Sequence, residues 1–146
     1  VYLTVDLLQE RISTIAAKYK RQDDIHSTLV GGTLVITATY IRKIIEELVD
    51  NACKFSAVGT PITIATSVAN GLYTMSVTDR GRGMSEEEIK LVDAYVQFER
   101  EIYEQQGIGL GLALVKKLVQ AYDGTVHIQS IPGVATTITV QLPCKS

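Results

Sequence analysis

The chain has 146 residues, of which 46% are hydrophobic and 21% are charged, so it is long enough for one compact domain with a buried core. Its formal net charge of −2 gives no electrostatic reason to expect nucleic acid or an anionic membrane as a partner. No apolar run approaches the roughly 18 residues of a membrane-spanning helix, and the N-terminus has no signal-peptide pattern.

The first predicted elements are a helix and a strand. Residues 7–19 have apolar positions at helical spacing, and Asp6 is the predicted cap of this helix. Residues 24–30 alternate like a strand, which Gly31 and Gly32 end.

The second predicted helix has the clearest pattern, with apolar residues at i, i+3, i+4 and i+7 spacing. This stripe, which we expect in the core, consists of Ile41, Ile44, Ile45, Leu48, Val49, Ala52 and Phe55. At 100° per residue, Glu47, Asn51 and Lys54 fall within an arc of about 60° beside the stripe. These three polar groups can therefore face a cleft while the stripe packs on a sheet.

The remaining elements complete an α+β pattern. Two β-branched runs, 61–68 and 72–78, flank a hairpin turn, and a capping box at 85–88 opens a short helix. A third main helix covers 109–122, and two final strands follow at 125–130 and 134–142. Three main helices and about five strands, mostly antiparallel, predict a two-layer α/β sandwich formed by one domain.

Three short motifs have chemistry that suits a nucleotide. Asn51 offers a hard amide oxygen of the kind that Mg²⁺ accepts, and Lys54 is a point charge suited to phosphate. Asp79 ends a strand and accepts hydrogen bonds only, so it can recognise an exocyclic amine such as that of adenine. The glycines at 107, 109 and 111 precede a helix, whose N-terminal N–H groups favour anions.

Each motif alone has an ordinary explanation: a solvated helix face, an Asp-x-Gly turn or a glycine-rich helix start. The three occur in order, with 28 residues from Asn51 to Asp79 and 28 from Asp79 to Gly107. Their joint occurrence in one chain predicts a nucleotide site.

These residues resemble the catalytic ATP-binding domain of sensor histidine kinases, in the superfamily that also contains gyrase, MutL and the heat-shock chaperone ATPases. The likeness covers residues 5–143. Residues 51–56 resemble the N box, 79–83 the first glycine box, 95–98 the F box, and 107–111 the second glycine box.

The resemblance implies the Bergerat fold with ATP and Mg²⁺ as ligands. Asn51 would hold Mg²⁺, Asp79 would receive the adenine amine, and Lys54 would approach the phosphates. Gly81 and Gly83 would line the base, and residues from about 95 to 106 would form a lid. The residues expected to contact the phosphates from the lid and the second glycine box are Arg100, Gly107, Ile108, Gly109, Leu110 and Gly111.

This chain departs from the kinase pattern at two site positions. Glu47 stands where histidine kinases usually have Asn, and the ATP-hydrolysing relatives place a general-base Glu there. Ile108 replaces the usual Thr or Ser of the second glycine box.

The phosphoacceptor histidine is also not identified in this chain. Neither His26 nor His127 lies in the His-Glu or His-Asp setting of a phosphoacceptor helix. We therefore expect that helical domain to be separate, N-terminal to Val1.

The resemblance implies a histidine kinase that transfers the ATP γ-phosphoryl group to a histidine on that domain, with a response regulator receiver domain as a further partner. Two alternatives stay open: an ATPase with Glu47 as general base, and a non-catalytic docking module. Cys53 and Cys144 form no metal-like or redox-like pair, which predicts reduced thiols in a cytoplasmic protein.

Overall fold

The computed structural model describes residues 1–97 and 110–145. Within these ranges four helices cover a mixed seven-stranded sheet, which confirms the predicted α+β class. The helices are α1 (Val5–Lys18), α2 (Ala38–Phe55), α3 (Glu86–Gln97) and α4 (Leu110–Ala121). The strands are β1 (Tyr2–Leu3), β2 (Ile25–Thr28), β3 (Gly32–Leu34), β4 (Ile62–Ala69), β5 (Leu72–Asp79), β6 (Thr125–Ile131) and β7 (Ala135–Lys145).

The sheet has the order β1-β3-β7-β5-β4-β2, and β6 also pairs with β7. The β2–β4 pair is parallel, and the other pairs among the described strands are antiparallel. The sequence predicted about five strands, and β1 and β3 are the two it missed. Strands of two and three residues are too short to show an alternating pattern, and their existence depends on long-range pairing.

Helix α1 begins two residues earlier than its apolar pattern indicates. Its N-cap is Thr4, whose Oγ1 accepts a hydrogen bond from the Leu7 N–H at 3.1 Å, so the prediction of Asp6 as cap is wrong. Thr4 has the extended backbone that a cap needs. Asp6 lies in the first turn instead, where its charge suits the helix dipole.

Helix α2 buries its predicted stripe against the sheet and against α1 and α4. The exposed fractions are 5% or less at Ile41, Ile44, Ile45, Leu48, Val49 and Ala52. Phe55, the last residue of the stripe, is only partly buried because the core ends there. The face that carries Glu47 and Asn51 is also partly exposed, so α2 presents a polar edge beside its apolar stripe.

The β4–β5 hairpin fixes the position of Asp79. Asn70 and Gly71 both have positive φ, as the two-residue turn that joins twisted strands requires. From this turn the register runs without a break to the pair Ile62↔Asp79, and β7 places Thr136 on the other side of Asp79. Strand β5 thus ends with the Asp79 carboxylate at an edge of the interface between the sheet and the helices.

Arg21 fixes the end of α2, and its side chain is 1% exposed. Its guanidinium donates to the carbonyl oxygens of Cys53 at 3.2 Å, Ser56 at 3.0 Å and Thr60 at 3.0 Å, and it also pairs with Asp24. The last carbonyls of a helix lack partners within the helix. Arg21 therefore satisfies the C-terminus of α2 from a distant part of the chain.

A side-chain hydrogen bond links the C-terminus of α1 to α2. The Tyr19 hydroxyl, at the C-cap of α1, donates a hydrogen bond to Asp50 Oδ1. Burial and this bond raise the pKa of Tyr19 from 10.0 to about 12. The bond joins the C-terminus of α1 to the C-terminal half of α2, and the Arg11–Glu46 ion pair at 2.9 Å is a further polar link between these helices.

This raised pKa predicts an alkaline loss of stability. A raised native pKa means that the Tyr19–Asp50 contribution is complete below about pH 10 and is lost as pH rises from about 10 to about 12. Ultraviolet titration of the parent minus Tyr19→Phe should show one tyrosine with a midpoint near 12. A difference curve centred near the ordinary value would contradict the bond.

Cys53 and Cys144 are both free, as predicted. None of the helices among residues 1–97 and 110–145 has the length and apolar character to cross a bilayer.

Candidate functional site

A pocket of about 360 Å³, including space open to solvent, lies between α2, the end of β5 and the start of α3. It brings together three residues that the sequence singled out: Asn51, Asp79 and Gly83. The other residues that line it are Phe55, Arg82, Met84, Glu88, Leu112 and Thr136. Three of the nine lining residues are apolar or aromatic and five are polar or charged, so the pocket combines apolar walls with several polar groups, as small-molecule sites do.

Asp79 is the buried anion of this pocket, with 4% of its surface exposed. Its Oδ1 accepts a hydrogen bond from the Gly81 N–H at 2.9 Å. Burial raises the pKa of the Asp79 carboxyl above its usual value, while the Gly81 N–H and the nearby Arg21 charge oppose that shift. A carboxylate held here can still accept a hydrogen bond from a donor that enters the pocket.

Asn51 and Lys54 have different surroundings although they lie on the same arc of α2. Asn51 lines the pocket. The Lys54 ammonium lies 3.3 Å from Asp50 Oδ2, and its side chain is 56% exposed. Lys54 is therefore outside the set of described residues that line the pocket, and Asp50 must release it before it can reach a ligand there.

Glu47 lies at the seam between α2 and α4. Its Oε1 pairs with Lys43 Nζ at 2.8 Å. A Cβ added to Gly111 would lie 2.1 Å from Glu47 Oε2, so the glycine makes room for this carboxylate. The first motif and the third thus meet in space, as a single site requires.

The glycines of the second motif permit close backbone packing, and one of them also lines the pocket. A Cβ at Gly81 would lie 1.9 Å from the Phe55 carbonyl oxygen, so Gly81 permits the loop to pack directly on the end of α2. Gly83 has φ +71 and lines the pocket, and a Cβ there would lie 2.5 Å from the Ile131 oxygen. Gly81 is not among the described lining residues, so its predicted contact with a base remains a prediction.

Several lining residues were missed by sequence reasoning. Thr136 is 3% exposed and pairs with Asp79 across the β5–β7 register, but it has no motif to reveal it. Arg82 and Glu88 had signals, because one lies inside the glycine motif and the other ends the capping box. Leu112 follows the third motif on α4.

Part of the predicted site falls in residues 98–109, outside the described residues. These positions are Arg100, Gly107, Ile108 and Gly109. Leu110 begins α4, and Gly111 follows within that helix. The predicted phosphate contacts of these residues, and of the lid, stay predictions.

The sequence profile of the family described as histidine kinase-, DNA gyrase B-, and HSP90-like ATPase matches residues 36–146. The sensor histidine kinase YvrG of Bacillus subtilis (strain 168) is 35% identical over 102 residues, or 69% of this chain. The chain spans 18% of the length of YvrG.

Solved structures show the same fold. The mycobacterial sensor histidine kinase MprB superposes with a TM-score of 0.73 at 25% identity, over 94% of this chain and 95% of that chain. The full-length ShkA structure in complex with AMPPNP superposes over 100% of this chain and 31% of that chain, with a TM-score of 0.75 and 21% identity. At that identity the ShkA likeness shows the fold alone.

Proposed function

The chain belongs to the histidine kinase-, DNA gyrase B-, and HSP90-like ATPase family, in its histidine kinase branch, and we propose that it binds Mg²⁺·ATP in the Asn51–Asp79 pocket for phosphoryl transfer. The acceptor would be a histidine on a separate helical domain, and a response regulator would receive the group afterwards. The observation that carries the nucleotide assignment is the buried Asp79 carboxylate in a pocket that Phe55, Met84 and Leu112 also line.

Base recognition would depend on Asp79. Its carboxylate accepts the Gly81 N–H and has capacity for a further donor. The exocyclic amine of adenine supplies such a donor, whereas a carbonyl at the same position would face the carboxylate unfavourably. Burial strengthens this discrimination, because an unmade hydrogen bond in a desolvated site costs more than one in water.

The residues of the pocket fit Mg²⁺. Asn51 supplies one amide oxygen, and the described residues contain no group of three or more His, Cys, Asp or Glu side chains that could hold a metal ion. Mg²⁺ commonly has one or two protein ligands together with waters and substrate phosphates. When bound, the ion would neutralise phosphate charge, and Asn51 would orient it through its oxygen.

Phosphoryl transfer would therefore depend mainly on how these residues position the nucleotide. Asp79 and the apolar walls would fix the base, Asn51 the metal-bound phosphates, and the N-terminus of α4 would lie on the phosphate side. Lys54 would contribute once its ammonium leaves Asp50. Water activation by Glu47 stays a prediction, and its Lys43 pair and contact with Gly111 also suit a role in joining α2 to α4.

Asp79→Asn tests the proposal. A hydrogen bond to a charged group contributes about 1.5–3 kcal/mol, so the variant should bind Mg²⁺·ADP about 10- to 100-fold more weakly in calorimetry. Since burial raises the native pKa of Asp79, its ionised form lowers stability at neutral pH. The neutral variant should therefore unfold at the same temperature as the parent or a higher one.

The matched control is Asp23→Asn, at an exposed position of the turn before β2, which should leave affinity unchanged. Absence of nucleotide binding by the parent would contradict the proposal. So would an Asp79→Asn variant that binds as well as the parent.

A further inference from the structure

Arg82 joins three elements at the mouth of the pocket. Its guanidinium carbon lies 4.6 Å from the centre of the Phe55 ring, and its Nη1 lies 3.1 Å from Glu88 Oε2. Its backbone N–H donates to the Phe55 carbonyl at 3.2 Å, and its own carbonyl accepts from the Gly133 N–H at 2.6 Å. The side chain is 50% exposed, yet both its ends are fixed.

Glu88 is held in place by the capping box of α3 as well as by its ion pair with Arg82. Its Oε1 accepts the Ser85 N–H at 3.2 Å, and its own N–H donates to Ser85 Oγ at 3.1 Å. One carboxylate oxygen thus caps α3 while the other pairs with the guanidinium. Because the cap has already ordered Glu88, the ion pair with Arg82 loses less conformational entropy than an ordinary surface pair.

The position of Arg82 relative to Asp79 divides the pocket into a floor and an outer wall. Asp79 and Thr136, at 4% and 3% exposure, form the floor, and the half-exposed Arg82 lies at the opening. A guanidinium is planar, is weakly hydrated and stacks on flat π-systems. Phe55 supports one side of it, and the group remains accessible to a second planar partner.

We propose that Arg82, held by Glu88, forms the outer wall of the nucleobase pocket and packs on the plane of the bound base, so that it determines affinity for the base and not for the phosphates. The inference rests on the proposed nucleotide function. It adds a specificity-determining residue that is separate from Asp79, since it recognises the flat face of the base whereas Asp79 recognises its edge. It also links occupancy of the pocket to the start of α3.

The test compares AMP, ADP and ATP, which share one base and differ in phosphate number. Affinities are measured by competition calorimetry for the parent, Arg82→Ala, Arg82→Lys and Glu88→Gln. Arg82→Ala should weaken all three nucleotides by the same factor, about 3- to 30-fold. Arg82→Lys keeps the charge but loses the planar face, so its nucleotide affinities should be close to those of Arg82→Ala. Glu88→Gln should weaken all three nucleotides equally, but by a smaller factor.

Arg80→Ala is the matched control, because Arg80 is exposed in the same loop and forms no ion pair with the described residues. It should bind all three nucleotides like the parent, and thermal unfolding checks that each variant is folded. A loss that grows from AMP to ATP, or that disappears at high salt, would assign Arg82 to the phosphates and overturn the inference. Equal binding by Arg82→Ala and Arg80→Ala would also overturn it.

The two proposals fail in different ways. If the parent binds no nucleotide, or Asp79→Asn binds like the parent, the proposed function fails and the inference fails with it. If Asp79→Asn is weakened while Arg82→Ala is not, the function stands and the inference alone is wrong.

Discussion

Replacement of Arg21 by leucine is expected to lower the free energy of unfolding by about 3–5 kcal/mol, as removal of one member of a buried ionic network commonly does. The leucine leaves the carbonyl oxygens of Cys53, Ser56 and Thr60 without the donors that now satisfy them. A buried acceptor without a partner incurs its full desolvation cost. Denaturant unfolding, with the midpoint and slope both fitted, measures the change.

The matched control for this change is Arg42→Leu, at an exposed position on α2. Surface substitutions of this type usually change stability by less than about 0.5 kcal/mol. The free energy of unfolding of Arg21→Lys should lie between those of Arg21→Leu and Arg42→Leu, because a lysine supplies charge but cannot donate to several separate carbonyls at once as a guanidinium does. An Arg21→Leu variant as stable as Arg42→Leu would show that the helix end does not depend on this side chain.

Replacement of Gly81 by alanine is the second large change that we expect. The new Cβ would lie 1.9 Å from the Phe55 carbonyl oxygen, which is backbone and cannot rotate away. The loop must therefore move off the end of α2, with a loss at or above the upper end of about 1–3 kcal/mol. Since Asp79 bonds to the Gly81 N–H, nucleotide affinity should fall together with stability.

Gly111→Ala is the control, because it adds the same methyl group against a different kind of neighbour. Its Cβ would lie 2.1 Å from Glu47 Oε2, the flexible end of a side chain that can turn aside. Alanine is also favoured over glycine in a helix by about 1 kcal/mol. Gly111→Ala should therefore be at least as stable as the parent, and equal effects of the two substitutions in unfolding experiments would contradict this explanation.

The sequence predicted those features whose cause is local. The α2 stripe, the Asn70-Gly71 hairpin and the Ser85–Glu88 capping box each depend on spacing within a few residues, and the structure has all three. The sequence singled out Asp79 and Asn51 because nucleotide chemistry limits which residue types can serve, and the structure brings both to one pocket. The cap of α1 was assigned to Asp6 because the apolar pattern begins at Leu7, whereas the helix begins at Val5 with Thr4 as its cap.

Features that depend on distant contacts could not be predicted in this way. Arg21 appears in the sequence as an ordinary charged residue after a helix, and its burial results from carbonyls more than thirty residues away. Thr136 joins the pocket floor through sheet register alone. The role of Arg82 depends on the stacking of its guanidinium on Phe55, which no local pattern encodes.

The central position of β7 has a consequence for how the domain is made. This strand pairs with β5, β6 and β3, and its residue Lys145 meets Thr33 from the opposite end of the chain. While a ribosome is still synthesising the domain, β5 has an open edge and β6 has no partner in the sheet. Exposed edges promote aggregation, and long-range pairing folds slowly. The Asn51–Asp79 pocket, whose floor includes Thr136 on β7, can therefore form only after this strand has left the ribosome.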